Sequence, residues 1–127
     1  MGSNRRRAAL AAVVAALGVA APAEAGSAQS KPTTVRVSGS GYQSDGMRQE
    51  ASAYGRLETV KRCLGDRVVK LYAFIGPDKR LIDVDRSSRN GSWSGIGAVS
   101  APPDGLEVVA QRAKRGKVVC REGSVAT

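Results

Sequence analysis

The sequence predicts an all-β fold: a small antiparallel β-sandwich of about seven strands that follows a cleaved signal peptide. Three observations predict it. Short runs rich in valine, threonine and aromatic residues recur along the chain, separated by glycine, proline and Asn-Gly turn signals about every ten residues. No stretch beyond the first 25 residues has the apolar spacing of a long amphipathic helix. Two cysteines, Cys63 and Cys120, lie in a segment small enough to need a covalent staple.

The strands can be taken in order. Thr33–Ser38 places Val35 and Val37 on one face and Arg36 on the other, and Ser38-Gly39-Ser40-Gly41 ends it. Tyr42 to Ser52 has mixed polarity around Gly46 and reads as a loop or an irregular turn. Tyr54–Val60 alternates loosely and is the second strand. Cys63-Leu64-Gly65-Asp66 turns the chain into Arg67–Ile75, the strongest signal. There Val69, Leu71, Ala73 and Ile75 share one face, and Val68, Tyr72 and Phe74 keep the other partly apolar. That pattern fits a central, well-covered strand. Gly76-Pro77-Asp78-Lys79 is a turn. Arg80–Asp85 follows, with Ile82 and Val84 expected inward. Asn90-Gly91 is the best hairpin signal in the chain, and Ser92–Ile96 is the return strand with Trp93 in the core. After the rigid turn Ala101–Gly105, Leu106–Ala113 is a strand, Lys114–Lys117 a tight basic turn and Val118–Arg121 the last strand.

The N-terminus reads as an export signal. Arg5, Arg6 and Arg7 form a positive start, Ala8 to Ala21 is uncharged, and Ala23-Glu24-Ala25 offers the small-x-small pattern of a cleavage site. The apolar run is shorter than the roughly 20 residues of a membrane-spanning helix. Cleavage after Ala25 divides the chain into signal peptide (1–25), disordered leader (26–32) and one β-sandwich domain (33–127). The arginine run also raises twin-arginine export, but no bulky apolar residue follows it closely, which favours general secretion. The expected location is secreted and extracellular, with no transmembrane anchor in the mature chain. In an oxidising compartment a Cys63–Cys120 disulfide is the default, against two free thiols or pairing between chains. It would close a loop of about 58 residues, worth about 4 kcal/mol in a chain-entropy account.

Charge and composition narrow the activity. The net charge is +9, and loss of Arg5, Arg6, Arg7 and Glu24 leaves +7. Such a field suits polyanions, but the basic residues are spread along the chain rather than gathered in one block, which favours an ordinary soluble surface. The chain has no histidine. That removes the usual general base, the Ser-His and Cys-His pairs and the commonest zinc ligand. Gly-x-Ser-x-Gly, Ser-x-x-Lys and Cys-x-x-Cys are absent. Asp83 and Asp85 share a strand face but do not match a calcium loop, and read as a solvated surface. No catalytic residue, metal ligand or cofactor is expected. Five scattered aromatics do not make a single-strand stacking platform, so no nucleic-acid partner is expected. The best interaction candidates are Arg112, Lys114, Arg115 and Lys117, at a hairpin tip that projects charge into solvent, although an ordinary soluble hairpin with edge-protecting lysines accounts for them more simply.

The stretch from Tyr54 to Ser124 resembles small secreted bacterial β-sandwich proteins of the prealbumin-like fold, also seen in carboxypeptidase regulatory domains. The resemblance rests on Gly65–Tyr72, on the polar segment Asp85 to Trp93, on Pro103–Arg112 and on Val119-Cys120-Arg121 followed by Ser124. It implies an extracellular, non-enzymatic domain and names no substrate. The expected role is structural or binding work at the cell envelope, on an anionic polymer or a protein partner. A small secreted enzyme or inhibitor, with a site formed only in three dimensions, is the alternative.

Overall fold

The computed structural model describes residues 29–127. The proposed signal peptide and residues 26–28 of the leader lie outside the described residues. The described chain is all-β. It has ten strands: β1 (Gln29–Lys31), β2 (Thr34–Ser44), β3 (Gln49–Glu58), β4 (Val68–Ile75), β5 (Asp78–Arg86), β6 (Ser92–Ala98), β7 (Gly105–Ala110), β8 (Ala113–Arg115), β9 (Val118–Cys120) and β10 (Gly123–Ala126). One 3-10 turn, Lys61–Cys63, precedes β4.

Seven strands form the sandwich. One sheet has the order β2-β3-β6 and the other β10-β7-β4-β5, and every neighbouring pair in them is antiparallel. Alternation decides which face is buried. Val69, Leu71 and Ala73 of β4 and Leu106, Val108 and Ala110 of β7 meet Val35, Ala51, Ala53, Leu57 and Trp93 from the other sheet. The outer face of β4 is half covered, as its apolar residues led one to expect. Lys79 Nζ lies 4.6 Å above the Tyr72 ring and 2.6 Å from Glu107 Oε1. The bond to Glu107 pushes the Lys79 ammonium above its ordinary value.

Both sides of the sandwich close through glycine. A Cβ on Gly97 would stand 2.1 Å from the carbonyl oxygen of Ile82, and one on Gly123 would stand 2.2 Å from that of Thr33. No other residue lets β6 approach β5 and β10 approach β2 this closely.

A third, smaller sheet has the order β8-β9-β1, with β8 antiparallel and β1 parallel to β9. Here the structure corrects the expected leader. Gln29–Lys31 is a strand because its backbone pairs with β9, with Gln29 N–H donating to Lys117 O at 2.8 Å.

Four more expectations change. Tyr42 to Ser52 is no loop. It forms the outer half of a long β2–β3 hairpin whose turn is held by Asp45, which accepts from Arg48 N–H at 2.8 Å and Met47 N–H at 3.1 Å. Cross-strand pairing supplied the order that mixed polarity concealed. Val84 is exposed, because a register shift opposite Leu71 and Tyr72 inverts the rest of β5 and turns Asp83 and Asp85 toward β6. Asn90-Gly91 makes a turn, with Asn90 Oδ1 accepting from Ser92 N–H at 3.0 Å, but β5 and β6 belong to different sheets. The turn therefore crosses between layers and closes no hairpin. Finally, the expected strand Leu106–Ala113 stops at Ala110, where the chain leaves the large sheet for the small one. The strand beside β7 is then β10, which lies beyond the last expected strand.

Candidate polyanion-binding surface

The functional candidate is the end of the sandwich that holds the disulfide. Cys63 ends the 3-10 turn and Cys120 ends β9. They are bonded, with a Cα–Cα separation of 5.6 Å, and neither is exposed. Four chain segments meet there: 29–33, 59–67, 87–91 and 111–122.

Arg67 joins them. Its residue is 0 % exposed and no carboxylate faces it. Instead Nε and Nη2 donate to Gln111 O at 3.1 and 2.8 Å, Nη2 also to Arg121 O at 3.0 Å, and Nη1 to Cys63 O at 2.9 Å and Thr33 Oγ1 at 3.0 Å. The rigid guanidinium fork reaches four acceptors that a lysine cannot reach together. Burial lowers its pKa from the ordinary value, and the neighbouring positive charge of Arg115 lowers it further. An arginine nonetheless stays charged in protein. Ser87 completes the junction, accepting from Arg67 N–H at 2.9 Å and donating to Leu64 O at 2.6 Å.

The four predicted basic residues divide. Arg112, Lys114 and Lys117 are exposed at the β8–β9 hairpin. Arg115 is half-buried, and its Nη2 donates to Gly65 O at 3.1 Å and Asp66 O at 3.0 Å. It fastens the hairpin to the turn before β4, so much of its donor capacity is used inside the protein.

The structure brings other cations to the same end. Arg62 reaches the hairpin turn, with Nη1 3.7 Å from where a Gly116 Cβ would stand. Lys61 sits beside it on the 3-10 turn, and Arg121 follows Cys120. Arg89 passes close to Gly65, whose added Cβ would lie 3.2 Å from the Arg89 Cα. Across the four segments the acids are Asp66 and Glu122, and Asp66 is already bonded to Arg86 at 3.0 Å. At the opposite end the turns 45–48, 76–77 and 99–104 carry Asp45, Arg48 and Asp104, a near balance. The charge is therefore polarised along the sandwich. Lys61, Arg62 and Arg121 were missed in the sequence, although the signal was there. They lie within two residues of the two cysteines, so a Cys63–Cys120 bond by itself brings them to the same end.

Two shallow grooves, of about 490 and 570 Å³, run from this end onto the outer face of the β2-β3-β6 sheet and share Ser38 and Arg56. The first starts at Leu64 and Asn90, and the second passes Tyr54, Ser92 and Ser94.

The acidic pair of β5 is not a free surface. Asp83 Oδ2 accepts from Ile96 N–H and Asp85 Oδ2 from Ser94 N–H, each at 2.9 Å. Among the described residues no group of three or more His, Cys, Asp or Glu converges as a metal site. No helix among them is long and apolar enough to cross a membrane. No family model matches the sequence, and no curated protein or solved structure matches it.

Proposed function

We propose that the protein is a non-enzymatic binding module that works outside the cytoplasm and holds an anionic polymer of the cell envelope through its disulfide end. One observation carries this reading. The four chain segments that meet at this end carry many cations and only two acids, and the turns of the opposite end are nearly neutral. A field of one sign concentrated on one pole attracts a polyanion far better than the same charge spread evenly. A buried disulfide suits an oxidising compartment, and the signal-like N-terminus points the same way.

The test is retention of the protein on purified cell-wall polymer. At low ionic strength the protein is retained, and it elutes as salt shortens the screening length toward about 8 Å. The double variant Lys114→Glu/Lys117→Glu elutes at lower salt, whereas Arg48→Glu at the far pole elutes with the parent. Absence of retention at low salt overturns the proposal, and so does equal sensitivity to charge reversal at either pole.

A further inference from the structure

We infer that the outer face of β3 carries a glycan subsite, with Tyr54 as the stacking ring and Arg56 as the anion contact, so that the polymer held is an acidic polysaccharide. This rests on the basic-end reading above and narrows it from any polyanion to one class.

Tyr54 is the starting observation. It is 57 % exposed in the middle of a sheet face. Its neighbours in register are Gly39 on β2 and Ser94 on β6. The ring leans across β2, and a Cβ on Gly39 would meet its Cε1 at 2.6 Å and its Cζ and hydroxyl oxygen at 2.9 Å. Glycine at 39 leaves room for the ring to lie on β2, and a Cβ there would displace it. The ring covers the bare backbone of Gly39 on one side and stays open to solvent on the other. Its two cross-strand neighbours are small. An aromatic surface lying on a flat, hydroxyl-lined face offers a sugar ring an apolar contact together with hydrogen-bond partners.

Arg56 supplies the charge. It is two residues along the same strand, on the same face, about 6.8 Å from Tyr54. It lines both grooves. Among the described residues it forms no ion pair, whereas Arg36 beside it is taken by Glu58 at 3.0 Å. The acid that lines the Tyr54 groove, Asp85, already accepts from Ser94 N–H. The groove thus presents an unpaired cation next to an exposed ring and opens at its other limit toward the basic end. A chain that alternates sugar rings with carboxylates is complementary to that sequence of features. A polyphosphate matches the charges and has nothing to lay on Tyr54.

Titration calorimetry of the protein against polygalacturonate and against polyphosphate separates the possibilities. Tyr54→Leu keeps an apolar cover on Gly39 but removes the ring. It is expected to weaken polygalacturonate binding about tenfold and to leave polyphosphate binding within about twofold. Tyr54→Phe keeps the ring and is expected to stay near the parent for both. Thermal unfolding midpoints close to the parent's confirm that both variants are folded. If both polymers bind and Tyr54→Leu weakens them equally or not at all, the glycan subsite is overturned while the basic-end reading survives. If neither polymer binds the parent protein, both readings fall.

Discussion

Arg67 carries a positive charge into a place where no carboxylate meets it. What it meets are three backbone carbonyls and a threonine hydroxyl, from segments that are far apart in sequence. Each acceptor would be left unsatisfied if the guanidinium were removed, and a buried unsatisfied acceptor costs about 1–3 kcal/mol. Arg67→Met is therefore expected to lower stability by about 3 kcal/mol or more in urea unfolding, although methionine fills similar space. Arg67→Lys should recover only part of that loss, because an ammonium cannot span four acceptors. A variant as stable as the parent would mean that the four segments hold together without the arginine. Arg115 makes the complementary point. In the sequence it is one of four equivalent basic residues at a turn. In the fold two carbonyls claim it, which leaves the exposed positive charge of this end to Lys114, Lys117 and the residues beside the cysteines.

At the scale of elements, the junction between β5 and β6 is unusual in chemistry. The two strands are edges of different sheets, and two aspartate side chains bridge them by accepting from the N–H groups of Ser94 and Ile96. The β6 edge is thereby protected from pairing with another chain. Asp83→Ala combined with Asp85→Ala should cost about 1–2 kcal/mol per site and raise the tendency to self-associate, as read by sedimentation at rising protein concentration. Asn at both positions keeps an acceptor and should fall between. A monomeric alanine double variant of parental stability would show that the edge is guarded by something else. The strands themselves were largely readable. β4 declared itself through an apolar run interrupted only by Lys70, and Trp93 was expected in the core and is there. The β2–β3 hairpin was missed beyond Gly41 because its β2 side buries no residue there and its β3 side buries only the small Ala51 before Ser52. Alternation carries information only where one side of a strand meets a core.

At the scale of the molecule, the disulfide and Arg67 fix the same end of the sandwich. Cys63 and Cys120 lie 57 residues apart, which gives the bond about 4 kcal/mol in the chain-entropy account. Cys63→Ser/Cys120→Ser should lose about that much in denaturant unfolding, and reductant should move the parent's midpoint toward the variant's. The same variant should be retained less strongly on anionic polymer, because the bond brings Lys61 and Arg62 to the same end as Arg121. Parental stability without the bond would leave Arg67 as the sole organiser of that end.

The sequence by itself determined that the described chain is all-β, which strand is central, that Trp93 is internal and that histidine chemistry is absent. These follow from local composition and two-residue alternation, which any short segment displays on its own. Only the tertiary structure decided that β5 and β6 part into different sheets, that Gln29–Lys31 pairs with β9 and that the aspartates of β5 turn toward β6. Each depends on a partner distant in the chain. The same is true of the charge. Along the sequence the basic residues look evenly dispersed, and antiparallel strands return the chain repeatedly to one end, where their connections pool what the sequence had spread out.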